Sequence, residues 1–155
     1  MRLFGTAWTL KLKALLWDND GVLVLTEKLY LQASRDILAE YEVSLSEDQF
    51  KSVSLKHGAS LMDLARAKGL SDAEIKKLRQ RRDNRYAELL KEGVKMRDGV
   101  EACLKALQGR ITMGIVTSSL KFHFDIIHAR TGLLTYFDFV LTRDAYKNSK
   151  PAPDP

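Results

Sequence analysis

The segment Leu15-Leu16-Trp17-Asp18-Asn19-Asp20-Gly21-Val22-Leu23-Val24 decides the fold, because an apolar run ends there in two carboxylates and a glycine. A short apolar run of this kind predicts a buried strand, which we expect near Leu12 to Trp17. Asp18 and Asp20 follow its carboxyl end, where open α/β sheets bind their ligands. Side chains two residues apart point the same way while strand geometry lasts, so both carboxylates can face one crevice. Asp, Asn and Gly also tolerate tight-turn dihedrals, so the segment alone is equally compatible with an ordinary turn.

The bulk composition is that of one domain, or of a domain that carries a small insertion. The chain has 155 residues and is 45% hydrophobic, which is enough for a true core. No apolar run reaches the roughly 18 residues that a membrane span needs, and residues 1–9 lack a signal-peptide pattern, so a cytoplasmic location without a membrane partner is expected. Cys103 is the only cysteine, which excludes intrachain disulfides and thiolate metal clusters.

The charge is moderately basic, with a net charge of +5 and a pI of about 9.3. This balance suits a nucleic-acid binder but equally suits an enzyme that attracts anionic small molecules. The basic residues cluster in a segment that also carries acids and lacks interleaved aromatic residues, which favours a solvated helix face and predicts no nucleic-acid partner. The clustered arginines are Arg79, Arg81, Arg82 and Arg85.

The region between residues 26 and 92 contains helix patterns and no strand pattern. Apolar residues recur at helical spacing, and Ser/Thr residues stand at the expected starts, two of them in capping boxes. The predicted helices are Glu27 to Tyr41 with Thr26 as N-cap, Ser46 to about Leu55, Ser60 to Gly69, and Ser71 to about Lys91.

After Gly93 the pattern changes to alternating helices and strands. The predicted order is a helix with Val100, Cys103, Leu104 and Leu107 facing inward, a strand over residues 111–117, a helix with Phe122, Ile126 and Ile127, and a strand over residues 137–142. Together with the first strand, this order predicts an α/β sheet with an all-helical insertion after its first strand.

Polar residues follow each of the three predicted strands: Asp18 and Asp20, then Thr117 with Ser118, then Lys150. Parallel strands would gather them at one edge. An aspartate can attack phosphorus, and a second acid can protonate the leaving oxygen and later deprotonate water. A hydroxyl and an ammonium group suit phosphoryl oxygens, and Mg²⁺ would offset the charge of a phosphate beside a carboxylate.

Each of these residues also has an ordinary structural interpretation. Thr117 can simply cap the following helix, although Ser118 and Ser119 are better candidates for that cap. Lys150 alone would be a surface lysine in most proteins. It is the occurrence of an acid pair, a hydroxyl and a lysine in this order, each after a predicted strand, that favours a phosphoryl-transfer site.

These motifs resemble the haloacid dehalogenase superfamily, in the helical-cap branch of phosphoglycolate phosphatase-like and β-phosphoglucomutase-like enzymes. The similar segments are residues 17–24, residues 114–119 and Lys150 within residues 149–154. The resemblance implies a Rossmann-like core of residues 11–25 and 93–155 and a cap of residues 26–92. It also implies Asp18 as nucleophile, Asp20 as acid/base, phosphate binding by Thr117, Ser118 and Lys150, and Mg²⁺ held by Asp18 and the backbone carbonyl of Asp20.

Two departures from the family pattern stand out. The family usually has Val-Asp-Ser/Thr-Glu after the first motif, whereas this chain has Val24-Leu25-Thr26-Glu27. Family members also continue past the lysine motif to a fourth strand and a fourth motif with metal-binding acids. Because the sequence stops at Pro155, we expect a third metal-binding acid to be absent from this chain and the core to be truncated.

The resemblance predicts a magnesium-dependent phosphatase of a small phosphorylated metabolite, of sugar phosphate or phosphoglycolate type. In this branch the cap supplies specificity, so His57, Gly58 and Ser60 are expected near the substrate, with Lys121 and His123 as weaker candidates. His57 also fits an exposed loop histidine without such a role. The alternatives are a phosphomutase with the same four residues, a receiver-like phosphoacceptor module, and a catalytically inactive remnant.

Overall fold

The structure, a computed structural model, describes residues 12–56, 59–150 and 152–154. Its centre is a parallel sheet of three strands, β1 (Ala14–Trp17), β2 (Thr112–Val116) and β3 (Phe139–Leu141), in that spatial order. Trp17 pairs with Ile115, and Val116 pairs with Leu141, so the three carboxyl ends lie at one edge. The predicted α/β class and the three strands are confirmed, each strand being shorter than its apolar run.

Helices fill the stretch between β1 and β2. They are α1 (Glu27–Ala39), α2 (Glu47–Phe50), a π-helical stretch (Lys51–Lys56), a 3₁₀ helix (Leu61–Lys68) and α3 (Asp72–Glu92). The described residues of this stretch form no strand, as predicted. The expected helix from Ser46 to about Leu55 is present in its extent, but α-helical hydrogen bonding ends at Phe50 and gives way to π-type bonding.

Two of the four predicted side-chain caps are present. Ser46 and Ser71 each form a full capping box, with Gln49 and Glu74 respectively. Thr26 does not cap α1 with its side chain; its hydroxyl instead donates to Asp20 at 2.6 Å, and a hydrogen bond to a carboxylate is stronger than one between neutral groups. Ser60 makes no side-chain cap bond either, and its Oγ accepts from Arg79 Nε at 3.0 Å.

The helices after residue 93 are α4 (Val100–Leu107) and α5 (Lys121–His128), with short 3₁₀ turns at Leu133–Tyr136 and Arg143–Ala145. The predicted inward position of Cys103 is wrong, since its side chain is exposed. Val100 and Leu104 form the buried side of α4, and Cys103 lies off that four-residue spacing.

Buried side chains form two hydrophobic clusters. One contains residues of the sheet and of α5, and the other lies wholly among the helices between residues 31 and 78. Helix α3 contributes to both, with Ile75 and Leu78 in the helical cluster and Tyr86 and Leu89 in the sheet cluster. The domain division at residues 25/26 and 92/93 stays a prediction that this arrangement supports.

Three of the four clustered arginines of α3 lie on a solvated helix face, as predicted. Arg79 pairs with Asp63, Arg81 with Glu40, and Arg85 with Asp36 and Glu88. Arg82 contradicts the expectation, because it is only 7% exposed. Its guanidinium stacks on the Tyr30 ring, donates to the Tyr30 hydroxyl and pairs with Asp83 at 2.8 Å, so ring and carboxylate replace water. None of the helices in the described ranges has the length and apolarity needed to cross a membrane.

Candidate active site

The three polar points predicted from the sequence meet at the carboxyl edge of the sheet. Lys150 Nζ lies 3.0 Å from Asp18 Oδ1 and donates to the carbonyl of Val116 at 3.1 Å. Thr117 Oγ1 donates to Asp20 Oδ2 at 3.3 Å. Lys150 is thus anchored to the end of β2 while it faces the first carboxylate, and residues about a hundred positions apart in sequence form one cluster.

A tight turn after β1 presents the two carboxylates. The carbonyl of Asn19 accepts from the backbone N–H of Leu23 at 2.8 Å, and Arg97 donates to the carbonyl of Gly21. Gly21 has a φ of +74°, and a Cβ there would lie 3.0 Å from Glu27 Oε1. The left-handed backbone favours glycine here, and a Cβ would also require the Glu27 carboxylate to shift by a few tenths of an ångström.

Asp18 combines a paired oxygen with a free one. Its Oδ1 accepts from the Asn19 N–H at 2.8 Å and contacts Lys150, while no described residue donates to Oδ2. The side chain is 46% exposed. A carboxylate that is oriented through one oxygen and open at the other has the arrangement that a nucleophile needs.

Asp20 differs from Asp18, because four side chains donate to its carboxylate. Thr26 donates to Oδ1 at 2.6 Å, while Ser119 at 2.6 Å, Thr117 at 3.3 Å and the amide of Asn19 at 3.3 Å donate to Oδ2. This carboxylate is held in one orientation and satisfied in its ionised form.

Sequence reasoning gave three of these donors, Asn19, Thr26 and Ser119, no place in the site. Thr26 and Ser119 are both hydroxyl residues near predicted helix starts. Both were interpreted as helix caps, and the cap interpretation is wrong for Ser119 as well, because α5 begins after Leu120 without a side-chain cap bond. No local pattern distinguishes a capping hydroxyl from one that donates to a distant carboxylate. The only available signal for Ser119 was its place just after a strand that ends beside the acid pair.

Thr117 and Ser118 have different surroundings. Thr117 is fully buried, and its Oγ1 also accepts from the N–H of Ser119 at 3.0 Å. Its carbonyl accepts from the hydroxyl of Tyr146 at 2.7 Å. Ser118 is exposed and lines a cavity at the carboxyl edge of the sheet. Phosphate binding by these two residues stays a prediction.

A cavity of about 570 Å³ separates the sheet edge from the helical region. Its lining contains Asp18, Asp20, Ser60 and four basic side chains, Arg79, Arg82, Arg143 and Lys150. Another cavity, of about 410 Å³, lies at the amino ends of the strands and contains none of the predicted site residues. The cavity at the carboxyl edge is therefore the candidate active site.

The weaker substrate candidates have other partners. Lys121 is exposed and pairs with Asp125 at 2.6 Å. His123 borders the cavity, but it is buried, and its Nε2 lies 2.9 Å from the carbonyl of Asp83; burial lowers its pKa. Ser60 borders the cavity as predicted, whereas His57 and Gly58 lie outside the described residues.

The donor set fits Mg²⁺ with few protein ligands. Within the described ranges, no group of three or more His, Cys, Asp or Glu side chains could hold a metal. Mg²⁺ commonly uses one or two carboxylates and completes its shell with water and substrate phosphate. The carboxylate of Asp18 and the backbone carbonyl of Asp20 are oxygen donors of the kind that Mg²⁺ takes, and their use as its ligands stays a prediction.

Comparison with known proteins gives matches over nearly the whole chain. The family model described as haloacid dehalogenase-like hydrolase matches residues 15–155. The phosphorylated carbohydrates phosphatase of Thermotoga maritima is 29% identical over 147 residues, which are 92% of this chain and 67% of that protein. The fructose-1-phosphate phosphatase YqaB of Escherichia coli is 29% identical over 143 residues, 90% of this chain and 74% of that protein.

A solved structure has the same fold. The hydrolase of family IA, variant 3, from Entamoeba histolytica superimposes with a TM-score of 0.75 at 27% identity, covering 92% of this chain and 66% of that one. This chain therefore spans about two thirds of the length of that protein and of the Thermotoga phosphatase.

Proposed function

This chain belongs to the haloacid dehalogenase-like hydrolase family, and we propose that it is a phosphatase of small phosphorylated carbohydrates that works through an aspartyl phosphate on Asp18. The observation that carries the proposal is the meeting of Lys150 and Asp18, 3.0 Å apart, beside the heavily hydrogen-bonded Asp20. The similarity to two phosphatases of sugar phosphates supports the substrate class.

In the proposed reaction Asp18 and Asp20 have separate tasks. Oδ2 of Asp18 attacks phosphorus, the ester P–O bond breaks, and protonated Asp20 gives its proton to the leaving oxygen. Asp20 then takes a proton from the water that attacks the aspartyl phosphate, which frees phosphate and restores both residues. The ammonium of Lys150 lies where it can stabilise negative charge on the phosphoryl oxygens.

The proposed cofactor is Mg²⁺, held by the carboxylate of Asp18 and the main-chain carbonyl of Asp20. When bound, it supplies positive charge that allows a dianionic phosphate to approach a carboxylate. Asp18, Asp20 and Lys150 then orient the phosphoryl group, and the hydroxyls around Asp20 hold the proton donor in place.

The proposed cap, residues 26–92, covers this edge of the sheet. Ser60 borders the cavity, which supports its predicted place near the substrate, and the proposal extends to its neighbours His57 and Gly58. The cavity of about 570 Å³ is large enough for a sugar phosphate.

Replacement of the nucleophile tests the proposal. In the Asp18→Asn variant we expect phosphate release from hexose and pentose phosphates, assayed with Mg²⁺, to fall at least about 1,000-fold, because no carboxylate oxygen remains to attack phosphorus. The matched control is Asp125→Asn on the exposed side of α5, which should retain activity. An Asp18→Asn variant that releases phosphate as fast as the parent would overturn the mechanism. Sugar phosphates that are isomerised without phosphate release would indicate transfer to a sugar hydroxyl instead of water.

A further inference from the structure

Asn19 is a buried polar side chain at the centre of the site, and the proposed mechanism gives it no task. It lies between Asp18 and Asp20 and is fully buried. An amide without water must find protein partners for both its oxygen and its nitrogen, since an unpaired buried polar group destabilises the fold. Those partners determine which way the amide points.

The partners form a directional chain. Asn19 Nδ2 lies 3.3 Å from Asp20 Oδ2, and Asn19 Oδ1 lies 2.7 Å from His128 Nε2. When Asp20 is ionised its carboxylate only accepts, so in that state the NH₂ group faces Asp20 and the amide oxygen faces His128. Nε2 of His128 therefore carries the hydrogen, and Nδ1 accepts from the hydroxyl of Thr131 at 2.9 Å.

The surroundings of His128 maintain this protonation state. His128 is the last residue of α5, it is 6% exposed, and it packs against Phe124 with ring centroids 4.4 Å apart. Burial lowers the pKa of His128 to about 4, so the imidazole is neutral at neutral pH. A neutral imidazole with one donor and one acceptor nitrogen suits a place between a hydroxyl and an amide oxygen.

Asn19 also differs in kind from the other donors to Asp20. Thr26, Thr117 and Ser119 donate through hydroxyls, which can rotate and become acceptors. The NH₂ group of Asn19 can only donate, and His128 prevents the amide from turning over. Among the four donors, this one cannot change into an acceptor when the proton on Asp20 comes and goes.

We propose that Thr131, His128 and Asn19 form a hydrogen-bonded relay that positions the carboxylate of Asp20 for proton transfer. His128 and Asn19 are positioning residues, because neither faces the phosphoryl group. The inference rests on the proposed function, and its test therefore includes a measurement that needs no turnover.

The kinetic test uses His128→Leu, His128→Gln and Asn19→Leu in the purified protein with a sugar phosphate and Mg²⁺. His128→Leu should lower kcat about 10- to 100-fold with little change in KM, because a small misplacement of a catalytic group affects the chemical step. His128→Gln, which keeps an N–H near the place of Nε2, should recover most of kcat. In the Asn19→Leu background, His128→Leu should cause no further loss, since the link to Asp20 is already gone.

The control for general destabilisation is Ile127→Ala, which truncates the buried neighbour of His128 on the same helix and removes no hydrogen-bonding side chain. It should lower the thermal midpoint and leave kcat within about twofold of the parent. If Ile127→Ala reproduces the loss of His128→Leu, or if His128→Leu lowers kcat equally with and without Asn19, the relay is refuted.

The second measurement is the nitrogen NMR spectrum of the His128 ring in the metal-free protein at pH 7. We expect a neutral ring with the hydrogen on Nε2, in the parent and in Asp18→Asn alike. An imidazolium, or a ring with the hydrogen on Nδ1, would overturn the relay whatever the enzyme's activity. If the unsubstituted protein has a neutral His128 ring with the hydrogen on Nε2 but releases no phosphate, the result contradicts the proposed function. It does not contradict the hydrogen-bond geometry of the relay.

Discussion

Asp18 and Asp20 are the same residue type two positions apart, and their surroundings give them different chemistry. Asp18 is 46% exposed and keeps one oxygen free of donors among the described residues, whereas four side chains donate to Asp20. A nucleophile needs an open oxygen, while an acid/base group needs a fixed direction for its proton. The contrast supports the proposed assignment of the two roles.

The buried state of His128 predicts a dependence of stability on pH. Burial lowers its pKa from 6.5 to about 4, although the charge of Asp20 opposes the shift. Between these two values the unfolded chain binds more protons than the folded one, so the free energy of unfolding must fall as the pH is lowered through this window. Urea denaturation between pH 4 and pH 7 should show a smaller fall in His128→Gln than in the parent.

Part of the fall in the free energy of unfolding at low pH should persist in His128→Gln, because burial also lowers the pKa of His123. His123→Gln is therefore the matched control, and each single variant should remove a different part of the slope. An unchanged slope in His128→Gln would show that His128 is already neutral in the unfolded chain or charged in the folded one, contrary to its burial.

The site residues that can be predicted from the sequence are those whose positions are determined by the strands. Asp18 and Thr117 directly follow β1 and β2, and parallel pairing brings them to one edge. Lys150 lies beyond β3 and a 3₁₀ turn, and its Nζ reaches this edge through its hydrogen bond to the carbonyl of Val116. The contacts of Thr26 and His128 could not be predicted, because a hydroxyl near a helix start has the same local sequence whether it caps or binds a carboxylate. His128 is 109 positions from Asn19, and no periodicity links them.

Among the elements, β2 is the central strand, and its contact with β3 depends on a glycine. A Cβ on Gly114 would lie 2.2 Å from the ring of Phe139. Gly114→Ala should therefore lower the free energy of unfolding by about 1–3 kcal/mol, with the lower end favoured because Phe139 is 39% exposed and its ring can shift.

Phe139→Ala provides the control for this prediction, measured by urea denaturation of both single variants and the double variant. Without the Phe139 ring, Gly114→Ala should lower the free energy of unfolding much less. The effects of the two substitutions should therefore be non-additive in a double-mutant cycle. If Gly114→Ala lowers the free energy of unfolding equally with and without Phe139→Ala, the strain lies in the backbone of β2, and a clash with the ring is not its cause.

Local rules explain which helix starts were predicted correctly. A capping box depends on two residues three positions apart, and both boxes, at Ser46 and Ser71, are present. Ser60 also has an acid three positions on, Asp63, but that carboxylate pairs with Arg66 and Arg79 instead of bonding back. Arg79, 19 positions away, donates to the Ser60 Oγ. The π-helical stretch after Phe50 likewise has no signature in the local sequence.

At the scale of the whole molecule, α3 joins the helical region to the sheet. Its Arg82 stacks on Tyr30 of α1, and the carbonyl of Asp83 lies 2.9 Å from His123 of α5. The amphipathic stripe of α3 was predictable, but the burial of Arg82 was not, since it depends on an aromatic ring 52 positions earlier. All four of these residues line the cavity at the candidate active site.

The charge of the whole molecule predicts how the enzyme responds to salt. The net charge is +5, and most cavity arginines already face carboxylates, Arg79 with Asp63 and Arg82 with Asp83. Arg143 borders the cavity and donates to the carbonyls of residues 146 and 147, with no carboxylate partner in the described part of the chain. Its charge is therefore available to attract a phosphorylated substrate.

We expect KM for a sugar phosphate to rise several-fold between about 50 mM and about 500 mM salt while kcat stays constant, because ions screen attraction that acts across the cavity mouth. Arg143→Gln should raise KM at low salt and flatten this dependence. Arg110→Gln, at the other cavity beside the amino ends of the strands, removes the same charge far from the site and should leave the dependence as in the parent. If the two variants behaved alike, the response would reflect only the net charge, and Arg143 would have no special part in drawing the anion into the site.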